Sequence, residues 1–372
     1  TESVQIRRRH GPRMEASPKL DELLSRMLTE GASDLHLSAG HRPRWRIDGD
    51  IAEIPRSRML GESSVYEMIE PVMGDRSIED FACFDADFIY AVDGVGRFRV
   101  NLFRDLKGIG AVLRMIPFRL PTFEELGLPE SCRKMCDQPK GLILVTGPTG
   151  SGKSTTLAAM VDYINRTKPQ HIVTIEDPIE FVHPSRVALV NQREVAEHTA
   201  SFHKALQSAL REDPDIILVG EMRDIDTMGM VLEAANTGHL VFGTLHTATA
   251  VSTVDRVIDM FDGAQQAQVR ATLSQCLRGV ISQTLCRKRG GGRVAAFEVL
   301  VGSAAVAHLI REGKNHQIQN TMVTAKRMGN QLLNEELEHL VTDGLVEFDE
   351  ALAKATDKID LAKRFGREYF DE

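Results

Sequence analysis

Gly147-Pro148-Thr149-Gly150-Ser151-Gly152-Lys153-Ser154 spells GxxxxGK[ST] and runs on into Thr155. An apolar run at residues 142–145 precedes it, and a helical stretch at 155–160 follows. Strand, glycine loop and helix in that order are what a phosphate cradle needs. The glycines let the backbone curl so that N–H groups and the helix N-terminus face phosphate oxygens. In such a loop Lys153 reaches the β- and γ-phosphates of ATP, and the Ser154 hydroxyl ligates Mg²⁺. A glycine-rich turn without a ligand is the plain alternative, and the complete motif in this setting speaks against it.

Two acidic positions follow. Glu176 and Asp177 close the apolar run 172–175, and Glu221 follows the run 216–219 through Gly220. Ligands of open α/β sheets sit at the carboxyl ends of strands, so both carboxylates should face the loop. One would hold Mg²⁺ through water while the other polarises the attacking water. Either acid alone is equally a surface residue or a helix cap.

His239 and His246 bracket a fourth apolar run, 240–244. Strand geometry puts them on opposite faces or at opposite ends. His246, at the carboxyl end, is placed either to sense a γ-phosphate or to serve as a structural histidine. Arg97 and Arg99, two apart, share one strand face while Phe98, Val100 and Leu102 line the other. Arg114 lies on a neighbouring apolar run and could join them. The plain reading is a solvated face; the alternative is a basic cluster delivered to a nucleotide, whose transition-state charge arginine stabilises.

The elements that must position these groups fall into two kinds. Leu20, Leu23, Leu24, Met27 and Leu28 recur at helical spacing, and Gly31 ends that helix. Strand signals follow at residues 33–37 and 44–47, the latter reaching the Asp48-Gly49 turn. A second hairpin joins 88–92 to 97–102, so residues 19–116 read as a small α+β domain after a tail, residues 1–18, that is flexible or an upstream extension. Residues 117–137 read as a linker in which Thr122 and Glu125 form a capping box. From 138 to 300 short, continuously apolar runs alternate with helical segments, the pattern of a sheet buried on both faces. Residues 301–372 read as helical, with Leu333, Leu337, Leu340 and Val341 at helical spacing.

The 372 residues carry 53 acidic and 45 basic side chains, a net charge of −8. A protein built to grip nucleic acid is more often basic, which weakens a RecA-like translocase reading. No run approaches the roughly 20 apolar residues of a membrane span, and no secretory signal opens the chain, so a cytoplasmic location without an integral membrane segment is expected. Cys83, Cys132, Cys136, Cys276 and Cys286 form no CxxC pair and read as structural thiols.

Taken together, four segments in order resemble the secretion and type IV pilus ATPase family, over roughly residues 19–345. They are 147–155 (Walker A), 174–180 (Asp box), 218–224 (Walker B) and 238–247 (His box). The resemblance implies a PAS-like N-terminal domain, a RecA-like P-loop core with a helical C-terminal region, and a homo-hexameric ring. It implies that Glu176 activates water, that Glu221 holds Mg²⁺, that Arg97, Arg99 and Arg114 are brought to bound ATP, and that His246 responds to nucleotide state. It gives His239 an interface or structural role. The four-cysteine zinc insertion of assembly ATPases is missing, and residues 305–312 resemble the retraction branch, with His308 and Ala307 where asparagine and arginine are usual. The implied work is pilus retraction against an inner-membrane platform protein, at the membrane's cytoplasmic face. An accessory paralogous retraction ATPase, a secretion ATPase and a nucleotide switch without turnover are the other readings.

Overall fold

A computed structural model describes residues 16–47, 49–74, 86–116 and 119–369. The arginine-bearing tail 1–13, Asp48 of the first turn, Cys83 and Pro117 of the linker lie outside the described residues. The chain divides into two compact units, Thr1–Arg119 and Leu120–Glu372.

The first unit is a six-stranded antiparallel sheet, built from β1 (Asp34–Ser38), β2 (Arg44–Ile47), β3 (Asp50–Glu53), β4 (Ala86–Val92), β5 (Gly96–Asp105) and β6 (Gly108–Ile116). The strands lie in the order β3-β2-β1-β6-β5-β4. The helix Pro18–Thr29 buries Leu20, Leu24 and Met27 in the core that also takes Phe98, Val100 and Leu113. Along β5 burial alternates residue by residue, so Phe98 and Val100 are fully buried while Arg97 and Arg99 stand on the other face.

The second unit holds a seven-stranded sheet: β7 (Gly141–Thr146), β8 (His171–Glu176), β9 (Leu189–Glu194), β10 (Ile216–Val219), β11 (Leu240–Leu245), β12 (Leu277–Arg287) and β13 (Arg293–Val301). Their order is β13-β12-β7-β11-β10-β8-β9. All neighbours run parallel except β12 and β13, a hairpin closed by Gly290, Gly291 and Gly292 at positive φ. The four apolar runs of the sequence become β7, β8, β10 and β11. Leu142 and Leu144 of β7 enter one core, Ile143 and Val145 the other. Each such side chain withdraws about 1.5–3 kcal/mol worth of apolar surface from water, which is why these strands read as unbroken apolar runs.

The connection at residues 122–126 forms the expected capping box, Thr122 accepting from the Glu125 amide. The C-terminal helices Leu333–Thr342, Phe348–Lys354 and Lys358–Arg364 pack Leu333, Leu337, Leu340, Ala351 and Leu361 against Cys286 and Ala296 of the β12–β13 hairpin. Cys132, Cys136, Cys276 and Cys286 are buried free thiols, and burial pushes each above the usual range. No helix among the described residues is long and apolar enough to cross a membrane.

Candidate active site

The glycine loop leaves β7 at Thr146 and enters the helix Lys153–Thr167 through Gly152, which sits in the left-handed region at φ 88°. Gly147, at φ 142°, lies against the Gln283 carbonyl of β12, and a Cβ there would also stand 2.6 Å from the Ser151 hydroxyl. Backbone and space therefore both demand glycine. Gly147→Ala is expected to lower folding stability by about 1–3 kcal/mol through strain and displacement, read as a fall in the melting temperature. An unchanged melting temperature would refute the crowding argument. Gln283, nearly fully buried, donates from Nε2 to the Ser151 carbonyl at 2.6 Å and braces the loop from the neighbouring strand.

Beneath the loop runs a buried chain of hydroxyls. Thr146 Oγ1 lies 2.8 Å from Ser282 Oγ, Thr253 Oγ1 lies 3.4 Å from Thr146, and Thr247 Oγ1 lies 2.6 Å from Thr253. The strand that delivers the loop is thereby tied to the segment that follows His246.

The Lys153 ammonium donates to the Gly147 and Pro148 carbonyls at 2.9 and 3.1 Å. Burial pushes its pKa down, while Glu221 and Glu180 pull it up. Of the two acids expected to face the loop, Glu221 is an electrostatic neighbour of Lys153; the other such neighbour is Glu180, four residues past Glu176. Residues 147–155 are continuous with this arrangement, and Ser154 and Thr155 open the helix.

Glu221 and Glu176 sit in opposite environments. Arg223 donates from Nη2 to Glu221 Oε2 at 2.7 Å, and its Nε pairs with Oε1 at 2.6 Å. His246 Nε2 lies 3.0 Å from the same Oε1. The Arg223 bond, helped by His246, holds the Glu221 carboxyl below its ordinary range, so it is a fixed negative charge at neutral pH. At Glu176 burial wins instead: the carboxyl rises from 4.5 to about 7, although Thr174 and Gln192 donate to it. Two carboxylates driven apart in this way suit two tasks, one as a permanent charge and one as a proton acceptor.

His246 is half-exposed at the carboxyl end of β11 and within reach of Glu221. His239 lies at the opposite end, its Nδ1 3.1 Å from the Ala234 carbonyl, in a local structural contact. Glu221, His246, Lys153 and Glu180 are therefore gathered at one end of the sheet, and Glu180 is also an electrostatic neighbour of Glu176.

In the first unit Arg99 and Arg114 are cross-strand partners, and Arg97 lies two residues along the same face. Arg114 Nε donates at 2.7 Å to Asp34, whose side chain is only 4% exposed, and Arg99 Nε lies 3.3 Å from Asp87. Nη1 of Arg97 is buried and has no hydrogen-bond partner among the described residues. Arg114 thus satisfies a buried carboxylate, a task that the sequence spacing did not announce.

Sequence reasoning missed Gln192, Gln283 and Arg223. Arg223, two residues from Glu221, was within reach of a local argument. Gln192 and Gln283 belong to strands β9 and β12, which carry no comparable run signal.

A P-loop at the carboxyl end of a mostly parallel sheet, with paired strand-end carboxylates and an antiparallel N-terminal unit, defines a two-unit nucleotide-dependent ATPase, and the chain belongs to the family described as Type II/IV secretion system protein, which it matches over residues 14–353. It is 54% identical over 337 residues to the type IV pilus retraction ATPase PilT of Pseudomonas aeruginosa, covering 90% of this chain and 98% of that protein. It is 37% identical over 345 residues to the type IV pilus ATPase PilU of the same organism, covering 92% and 90%. Its structure is similar to the crystal structure of the pilus retraction motor PilT with bound ADP, at a TM-score of 0.84 and 47% identity over 92% of this chain and 98% of that one.

Proposed function

We propose that this chain hydrolyses ATP and couples the hydrolysis to retraction of a type IV pilus. The observation that carries the chemistry is the pair of oppositely perturbed carboxylates, Glu176 at the end of β8 and Glu221 just past the end of β10, with Glu221 an electrostatic neighbour of Lys153. The likeness to PilT, greater than that to PilU, supports retraction over the accessory role.

In this reading the loop amides and Lys153 bind the phosphates. Glu176 accepts a proton from the attacking water, and His246 reports on the γ-phosphate through Glu221. The donor set at the loop consists of hard oxygens, the Ser154 hydroxyl and the Glu221 carboxylate, which fits Mg²⁺. Ser154 and Glu221 would hold the ion, Glu221 through water, and the ion would neutralise charge on the phosphate oxygens. Arg223, 75% exposed at its side chain, can swing away from Glu221 without leaving a buried charge. Arg97, Arg99 and Arg114 are assigned to phosphate charge on the strength of their shared face and the family resemblance. A homo-hexamer at the cytoplasmic face of the inner membrane, working on a platform protein beside a paralogous ATPase, completes the reading.

The test is a count of surface pili, with twitching motility, in cells whose only copy carries Lys153→Ala. Abundant pili without movement are expected. Bald cells would mean an assembly motor, and normal pili with normal movement would remove the pilus assignment.

A further inference from the structure

Glu176 does not hold its own orientation. Thr174, two residues back on β8, donates its hydroxyl to Glu176 Oε1 at 2.6 Å. Gln192, the in-register partner of Thr174 on β9, donates Nε2 to the same Oε1 at 3.1 Å. Both donors converge on one carboxylate oxygen, and Oε2 receives no hydrogen bond from the described residues.

The direction of the Gln192 amide is set by its other contacts. Its Nε2 also donates to the Phe181 carbonyl at 2.8 Å, and its Oε1 accepts the His183 backbone N–H at 2.8 Å. A carbonyl can only accept and a backbone N–H can only donate, so a flipped amide would lose both bonds. Gln192 therefore presents a donor, never an acceptor, to Glu176. It also anchors the backbone at 181 and 183, the segment that follows the Asp box.

We propose that Gln192 is a positioning residue for ATP hydrolysis, which with Thr174 pins Oε1 of Glu176 and so presents Oε2 to the attacking water. This rests on the reading of Glu176 as the proton acceptor. A carboxylate free to rotate would spend most of its time with neither oxygen aligned, and alignment is a major part of the rate. The donor also favours the charged form, opposing burial and the like charges of Glu180 and Glu194 that face Glu176.

The experiment compares Gln192→Leu, Glu176→Gln and the double variant in the full-length protein, each checked for folding by circular dichroism and for assembly by gel filtration. Turnover is read as phosphate release with saturating Mg-ATP across pH 6–9. Gln192→Leu is expected to lower kcat about 10–100-fold with KM within about twofold. Its acid limb should move to higher pH, because a donor that favours the carboxylate has gone. In the Glu176→Gln background the second substitution should add nothing, since the carboxylate it positions is absent. Wild-type kcat in Gln192→Leu, an unmoved acid limb, or a further loss in the double variant would each overturn the proposal while leaving Glu176 in place. Should Glu176→Gln itself keep full turnover, the reading of Glu176 falls, and this inference with it.

Discussion

Lys153→Ala is expected to reduce kcat/KM for ATP by at least about 1,000-fold, with the protein still folded. The ammonium is held by two carbonyls of its own loop, Gly147 and Pro148, and is flanked by Glu221 and Glu180. That poise places one positive charge where triphosphate oxygens would displace the carbonyls, and in a partly buried setting such a charge acts at low effective dielectric. A 1,000-fold loss corresponds to about 4 kcal/mol of transition-state stabilisation, the scale of one well-placed charge. Folding should survive because the loop is braced by Gln283 and by its own glycines, neither of which needs the lysine. Phosphate release and fluorescent-nucleotide binding, measured with a melting curve, check the result. A variant retaining a tenth of wild-type kcat/KM would remove Lys153 from the site.

Glu176→Gln is expected to separate binding from turnover: kcat falls by about 100- to 10,000-fold while nucleotide affinity changes little. The amide keeps the shape of the side chain but loses the basic oxygen. The wild-type pH profile should rise through about pH 7, because only the deprotonated form accepts a proton and burial has lifted the carboxyl there. Stability should run the other way. The folded-state value of about 7 lies above the ordinary 4.5, so the contribution of the neutral form is complete below 4.5 and lost as pH rises through 7. That rise corresponds to about 3 kcal/mol. The glutamine variant, which never ionises, should therefore melt higher than wild type at pH 8 and equal to it at pH 4.5. A variant with wild-type kcat, or one whose melting difference is the same at both pH values, would sink the assignment.

Much of the fold was legible because its signals are local. The helix at Pro18–Thr29, the alternation along β5 and the four unbroken runs of β7, β8, β10 and β11 each express a period within one segment. β9 escaped notice because it is an edge strand with only partial burial and a polar composition, so it shows neither a continuous run nor a clean alternation. The role of Arg114 toward buried Asp34 escaped for a different reason: the partners are 80 residues apart and meet only through the β1–β6 register.

By itself the sequence determined the glycine loop between strand and helix and the strand ends at which Glu176, Glu221 and His246 stand, because that loop and an acid after an apolar run are contiguous features. Only the tertiary structure decided what surrounds them. Strand order sets β12 beside β7, which brings Gln283 to Ser151 across 132 residues, and sets β9 beside β8, which brings Gln192 to Glu176. It also decided that Arg223 holds the Glu221 carboxyl below its ordinary range while burial raises that of Glu176 to about 7. Pairing between distant strands, and the burial that follows from it, has no local period to betray it; the charge state of a carboxyl is a property of what has been packed around it.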